Sequence, residues 1–239
     1  MTATSGARLR PRLRRVALWA AAGGAVAVVA VLAAYLVDMR RAYDRVRGKS
    51  RIVASPCGDI EYSEGGSGPA VLVVHGSGGG FDQGELLVRV LLGDSFHWIT
   101  PSRFGYLRST HHPGATFDDQ ADAYAFLLRH LGVDRAAVVA LSHGGPSALL
   151  FAVRHPELVS SLTLISAGVA SSADADQAQA NKQGDALMRI YQHDSWYWAL
   201  THAFRGRFLS LMGAPATVTA ALTPEQRTLI DQVIDGMNP

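Results

Sequence analysis

Features that define several function classes are scarce or missing in this chain of 239 residues. It contains a single cysteine, Cys57, so no disulfide can form within the chain and no cysteine-rich metal site can be built. Cys57 lies in Ser-Pro-Cys-Gly-Asp, a composition typical of a turn, where a solvated or half-buried thiol is expected rather than a nucleophile. We expect neither a metal nor a cofactor.

Charge is absent from residues 16–37, VALWAAAGGAVAVVAVLAAYLV. As a helix this segment would span about 33 Å, enough to cross a hydrocarbon core of roughly 30 Å. Trp19 and Tyr35 lie near its two ends, where aromatic rings favour the membrane interface. A cleaved signal peptide and a buried core helix are the alternatives, but the apolar run is longer than a usual signal. We predict a single-pass membrane anchor, with the lipid bilayer as a partner.

Basic residues flank this segment on both sides, so the positive-inside rule gives no orientation for it. Residues 1–51 hold 11 basic and 2 acidic side chains, net +9, and the remainder is net −7. Arginines beside a membrane span explain the basic balance better than a nucleic-acid surface does. We therefore expect no nucleic-acid partner.

Strand and helix patterns alternate after the apolar segment. Six strands are predicted, at 51–55, 59–64, 70–74, 96–100, 136–141 and 159–165. Helical patterns follow the third, fourth and fifth strands: one covers 84–92, one begins at Thr116 with Asp119 in a near capping box, and one covers 146–153. Continuous apolar runs such as Ala70 to Val74 are typical of strands buried on both faces. This order predicts an α/β fold with a mostly parallel sheet, in which ligands gather at the carboxyl ends of the strands.

Ser142 occupies such a position, between the strand 136–141 and a helix. Its neighbours two residues away on each side are Ala140 and Gly144, which gives Ala-Leu-Ser-His-Gly, a variant of the G-x-S-x-G nucleophile elbow. Small residues are needed there because larger side chains would collide with the adjoining strand or helix. Ser142 as a simple helix cap is the alternative interpretation.

A glycine-rich loop, His75-Gly76-Ser77-Gly78-Gly79-Gly80, follows the strand 70–74. Such a loop supplies backbone N–H groups to a developing oxyanion, and we expect the donors to be the N–H groups of Ser77 and His143. A dinucleotide site is disfavoured because Phe81 stands where the third glycine of G-x-G-x-x-G belongs. We expect His75, Gly76, Gly78 and Gly144 to support this loop and the elbow.

These motifs, with Thr-Pro-Ser-Arg-Phe-Gly-Tyr after the fourth strand, resemble the α/β-hydrolase superfamily over residues 52–165. The resemblance implies a three-layer sandwich, a serine nucleophile, an acid, a histidine base, and a helical cap after the sixth strand. The implied organisation is a basic tail 1–15, a transmembrane helix 16–37, a basic linker 38–50, a hydrolase core 51–168 and a partial cap 169–239. Within the cap we expect helices at 185–191 and from Thr223, whose Pro224 and Gln226 form a strong helix start.

The chain departs from the family pattern because no strand carrying the acid or the histidine follows the cap. His155, His193 and His202 are the histidines after the elbow, and none has the expected setting. We expect His111 and His112 to lie in an exposed loop. The sequence is consistent with an incomplete chain of a membrane-anchored serine hydrolase, or with a natural short form that binds without turnover.

The complete enzyme would cleave a carboxylic ester or related acyl bond of a small-molecule substrate through Ser142. Apolar rings such as Trp196 and Trp198 hint at an apolar acyl or alcohol group, although packing between cap helices is the alternative for them. A binding or scaffolding membrane protein that uses the fold without chemistry is the competing interpretation.

Overall fold

The computed structural model describes residues 9–168, 182, 189–190 and 193–237. Most of the predicted cap helix 185–191 lies outside these residues, although Arg189 and Ile190 are helical. Asp174, Asp176 and Asp185, which the sequence suggests are ordinary solvated charges, also lie outside them.

The chain divides into two compact units, residues 1–41 and 42–239. Helix α1, Leu9–Val46, runs through the apolar segment and through much of both predicted basic flanks. Within the described part of the chain it is the one helix that is long and apolar enough to cross a membrane. Its apolar window has a mean hydropathy of 2.3 and no buried residues.

The second unit is built on a six-stranded sheet with the order β1-β2-β4-β3-β5-β6. The strands are β1 Arg51–Ser55, β2 Gly58–Gly65, β3 Ala70–Val74, β4 His97–Pro101, β5 Ala136–Leu141 and β6 Val159–Ile165. β1 pairs antiparallel with β2, and β2 pairs antiparallel with β4. The pairs β4–β3, β3–β5 and β5–β6 are parallel, as the alternating pattern predicts. Among the described residues, β6 pairs with β5 alone.

Helices cover both faces of this sheet. They are α2 Phe81–Leu91, α3 Phe117–His130 and α4 Gly145–Arg154. Leu72 and Val74 of β3 pack into the cluster that holds Tyr124 of α3 and Phe151 of α4. Val71 and Val73 point the other way, in a cluster with Val88 of α2. Alternate residues of one strand therefore enter different layers, which requires the apolar run that the sequence shows.

Capping boxes begin two of the helices. The Thr116 side chain accepts from the Asp119 N–H while Asp119 accepts from the Thr116 N–H, which confirms the predicted start of α3. Thr223 and Gln226 form the same reciprocal pair at the last helix, whose first residue is Pro224. The prediction of that helix start is confirmed.

Four helices are described in the predicted cap: α5 Asp194–Ala203, α6 Arg205–Leu211, α7 Ala216–Ala220 and α8 Pro224–Gly236. Tyr197, Phe208 and Ile234 form a small core between α5, α6 and α8. The Tyr197 hydroxyl also donates to the carbonyl of Ile234 at 2.7 Å, which ties α8 to α5. Trp196, in contrast, is 66% exposed.

Candidate active site

Ser142 lies at a sharp turn between β5 and α4. Its φ is +48°, in the left-handed region that residues with a Cβ rarely adopt. Ala140, two residues before it, is completely buried, and Gly144, two residues after it, is buried as well. The Ser142 side chain itself is exposed. The sequence therefore forms a strained turn that presents a hydroxyl to solvent.

Gly144 is the small residue on which this turn depends. A Cβ built on it would lie 2.5 Å from the carbonyl oxygen of His75 and 3.0 Å from that of Val74. Ser147 supports the same turn, since its hydroxyl donates to the Gly144 carbonyl at 3.0 Å and lies 3.1 Å from the Tyr124 hydroxyl. The elbow is thus pressed directly against the end of β3.

The glycine loop after β3 lies beside the serine. A Cβ on Gly76 would come within 3.3 Å of the Ser142 Cβ. Gln83 of α2 fixes the loop through two hydrogen bonds: its Oε1 accepts from the Gly76 N–H at 2.7 Å, and its Nε2 donates to the Gly78 carbonyl at 2.6 Å. On the outer side, a Cβ on Gly78 would overlap the side chain of Met237. The structure brings the predicted loop and the predicted nucleophile together.

His75 is fully buried within this arrangement. Its Nε2 accepts from the Arg103 backbone N–H at 2.8 Å, so the proton is on Nδ1, which donates to the Gly76 carbonyl at 2.7 Å. Burial, with the nearby Arg103 charge as the second cause, lowers the pKa of His75 well below its usual 6.5. His75 is therefore neutral at physiological pH, with both ring nitrogens engaged.

Two residues that sequence reasoning did not assign complete the loop. Arg103 follows β4 and donates from Nη2 to the Gly76 carbonyl at 2.9 Å and from Nη1 to the His143 carbonyl at 3.2 Å. Tyr106 donates from its hydroxyl to the Ser77 carbonyl at 3.2 Å. Both residues lie in the Thr-Pro-Ser-Arg-Phe-Gly-Tyr segment. Their position at the carboxyl end of a strand next to β3 was the available signal.

Ser77 and His143, the two expected oxyanion donors, lie in the glycine loop and directly after Ser142. Within the part of the chain that the structure describes, the Ser77 N–H donates no hydrogen bond. The rings of His143 and Phe117 meet in an edge-to-face arrangement, with 5.7 Å between their centroids. Burial first, and Arg103 second, lower the pKa of His143.

The histidines after the elbow lie in other surroundings. The Nε2 of His155 is 2.8 Å from Asp122, and the ring of His202 stacks on Trp198. The ring of His193 lies 6.3 Å from that of Trp196. His112, which precedes the elbow, contacts the Cys57 carbonyl through its Nε2 at 2.5 Å and so lies against the turn between β1 and β2. Among the described residues, no histidine hydrogen-bonds to the Ser142 hydroxyl.

A depression of about 320 Å³ is lined by Arg103 and Phe117, both of which contact His143 of the elbow, and by Phe104, His111 and Gln120. The Phe117 ring connects this depression to His143, the residue after the serine. Among the described residues no cluster of three or more histidine, cysteine or acidic side chains could hold a metal ion.

Comparison with known proteins agrees with this architecture. The family described as alpha/beta hydrolase fold matches residues 69–203. The chain is 34% identical over 180 residues to an uncharacterized hydrolase of Bacillus subtilis, YcgS, covering 75% of this chain and 60% of that protein. The chain thus spans about 60% of the length of that relative.

Two solved structures are similar as well. An alpha/beta hydrolase fold protein from Nakamurella multipartita is 26% identical, with a TM-score of 0.54 over 79% of this chain and 68% of that one. A membrane phospholipase A, described as a bacterial virulence factor, is 27% identical, with a TM-score of 0.54 over 81% of this chain and 63% of that one. The matched residues include β3, the glycine loop, β5 and the elbow, and the chain belongs to the alpha/beta hydrolase family.

Proposed function

We propose that the protein is a membrane-anchored serine hydrolase that cleaves a carboxylic ester or related acyl bond. The observation that carries this proposal is the position of Ser142, which is exposed at φ +48° with its Cβ beside Gly76 of the glycine loop. A side chain in a strained backbone conformation at a strand end is more characteristic of function than of a helix cap. In keeping with this, the N-cap residue of the helix that follows is Gly144 and not Ser142.

The reaction would proceed in two stages. The Ser142 Oγ attacks the substrate carbonyl carbon and loses its proton to a general base, and the negative charge moves onto the carbonyl oxygen. The N–H groups of Ser77 and His143 hold that oxygen. The alcohol leaves with a proton, and water then releases the acyl group from the serine. The base and its acidic partner are not assigned to any described residue.

An apolar substrate fits the surroundings of the serine. Phe104 and Phe117 are among the residues that line the depression, and the Phe117 ring also contacts His143 beside the serine. The similarity to a membrane phospholipase A also supports an acyl ester, and helix α1 supports attachment to a membrane. We therefore propose that esters of medium or long acyl chains are better substrates than acetates.

A second candidate is a membrane protein that binds an acyl compound without hydrolysing it. The observation in its favour is that no described histidine hydrogen-bonds to the Ser142 hydroxyl. A serine without a base is a weak nucleophile, because members of a catalytic triad act as a unit.

Hydrolysis of p-nitrophenyl acetate, octanoate and palmitate by the purified full chain in detergent tests the proposal. We expect p-nitrophenol release to be fastest with the longer chains and to be lost in Ser142→Ala. The matched control is Ser210→Ala, because among the described residues the exposed Ser210 hydroxyl bonds only to the Gly206 carbonyl of its own helix. Equal release by wild type and Ser142→Ala would refute the nucleophile and favour the binding protein.

A further inference from the structure

Arg103 is a buried cation at the carboxyl end of β4. Only 5% of its surface is exposed, yet within the described part of the chain it forms no ion pair with a carboxylate. Its Nε is buried without a hydrogen-bond partner among those residues. A buried charge without an opposite charge is unfavourable unless other contacts compensate for it. The contacts that the Arg103 side chain makes therefore indicate its role.

The guanidinium group bridges the two segments that would form the oxyanion hole. Nη2 donates to the carbonyl of Gly76 in the glycine loop, and Nη1 donates to the carbonyl of His143 in the elbow. These carbonyls come from parts of the chain that are 67 residues apart in sequence, and Arg103 lies 27 residues from the first and 40 from the second. One rigid, forked cation thus sets the distance between them.

The contact with Gly76 has a direct consequence for the predicted donor. The Gly76 carbonyl and the Ser77 N–H belong to one planar peptide unit, and in a trans peptide they point in opposite directions. Arg103 and His75 both donate to that carbonyl, so the peptide plane is fixed and the Ser77 N–H is directed away from them. Donation to a peptide carbonyl also polarises the N–H of the same unit.

Tyr106 braces the guanidinium from its other side. The Arg103 carbon Cζ lies 4.9 Å from the centroid of the Tyr106 ring, a cation–π distance, and Nη2 also donates to the Tyr106 hydroxyl at 3.3 Å. The same hydroxyl donates to the Ser77 carbonyl. The edge of the Tyr106 ring meets His75 at 4.8 Å between centroids. Both peptide groups around Ser77 are therefore held by the Arg103–Tyr106 pair.

We propose that Arg103 is a positioning residue that aims the Ser77 N–H at the oxyanion and sets its spacing from the elbow, so that it accelerates bond formation at Ser142 without contacting substrate. This inference rests on the proposed function. An alkyl fluorophosphonate is the chemical probe of that function. The Ser142 oxygen forms a bond to the phosphorus of the probe while the P–F bond breaks and fluoride leaves. The serine proton passes to solvent or to a base. The phosphoryl oxygen takes the place of the oxyanion.

The experiment measures phosphonylation of the full chain at a series of probe concentrations, which separates the maximal rate kinact from the binding constant KI. We expect Arg103→Lys and Arg103→Gln to lower kinact about 10-fold to 100-fold, as small displacements of catalytic groups do, with KI within about twofold of wild type. Lysine retains the charge but cannot bridge both carbonyls. Arg207→Gln, at an exposed arginine stacked near Phe204, is the matched control and should leave both constants unchanged.

A general loss of packing would raise KI together with the fall in kinact, and that pattern would overturn the positioning role. Values of kinact within twofold of wild type would overturn it as well. If neither variant folds, Tyr106→Phe tests the same assembly, because it removes the hydroxyl that joins Arg103 to the Ser77 carbonyl; we expect kinact to fall several-fold, and an unchanged value would contradict the inference. Absence of any adduct on wild type would overturn the proposed function, and the Arg103 assignment with it.

Discussion

Gly144 lies directly against the main-chain carbonyl of His75, with no room for a Cβ between them. This contact joins the turn after β5 to the end of β3, and it brings the candidate nucleophile beside the glycine loop. The carbonyl cannot move freely, because the His75 ring is buried and bonded at both nitrogens. The glycine is therefore a requirement of the site's geometry.

Gly144→Ala should destabilise the protein. The new Cβ would lie 2.5 Å from a backbone oxygen, and overpacking of this kind costs typically about 1–3 kcal/mol. Gly206→Ala is the control, since a Cβ at that helical position meets nothing within 4 Å and alanine favours the helix by roughly 0.5–1 kcal/mol. Urea denaturation followed by circular dichroism measures both. A Gly144→Ala midpoint at or above that of wild type would contradict the close contact.

Ser142→Gly should stabilise the fold while removing the proposed function. Glycine relieves the left-handed conformation, which costs about 1–2 kcal/mol for a residue with a Cβ, although its greater freedom in the unfolded chain offsets part of this gain. Ser142→Ala retains the Cβ and should stay close to wild type in stability. The comparison of the two denaturation midpoints isolates the strain. A glycine variant less stable than the alanine variant would argue against it.

Acidification should destabilise the folded protein through His75. Its pKa in the folded state lies well below the 6.5 of the unfolded chain, so between the two values the unfolded chain binds more protons. The contribution of neutral, buried His75 to the free energy of unfolding is complete above about pH 6.5. It is lost as the pH falls below that value, and the free energy of unfolding then decreases by up to about 1.4 kcal/mol per pH unit. His143, whose pKa is also lowered, adds to the same trend.

Unfolding free energies measured between pH 5 and 8 test this expectation. His75→Gln has no titrating ring at this position, so its dependence on pH should be shallower than that of wild type, with a remainder from His143. The control is internal, because the slopes of two proteins are compared and not their absolute stabilities. Parallel curves would show that His75 does not carry the effect.

Helix α1 should hold the protein in membranes. In cells that express the full chain, we expect it to stay in the membrane pellet after alkaline carbonate washing. Val26→Arg combined with Val29→Arg places two charges in the apolar segment, each unfavourable by about 2.5–3.5 kcal/mol at the centre of a span, and should release the protein. Val26→Leu with Val29→Leu is the matched control. Release of wild type by the same wash would contradict a spanning helix.

The fold could be predicted from local pattern because strands such as β3 and β5 are short apolar runs and two of its helices begin with capping boxes. The strand bounds agree to within about one residue at every strand. Helix α2 differs: it begins at Phe81, not at Gly84 as expected. Gly84 lies inside this helix, and a Cβ there would meet the Thr100 side chain of β4 at 2.7 Å, so close packing on β4 requires a glycine. The sequence pattern does not distinguish such a glycine from one that ends a loop.

The site could be predicted only in part. The glycine loop and the elbow have sequence signatures, because each depends on residues next to one another in the chain. Arg103 and Tyr106 lie in a segment that supports the family resemblance, but the sequence pattern assigns neither a role in the site. Gln83 has no signature at all. The roles of all three depend on contacts between separate elements. Arg103 reaches carbonyls 27 and 40 residues away, and no local pattern encodes that reach.

The central claim is that Ser142 is an activated nucleophile facing the glycine loop. Treatment of the folded full chain with a fluorophosphonate, followed by intact mass measurement and peptide mapping, tests it most directly. The account predicts one adduct per chain, located on Ser142 and absent from Ser142→Ala. A folded protein that gains no adduct, or gains it equally in Ser142→Ala, would contradict the account.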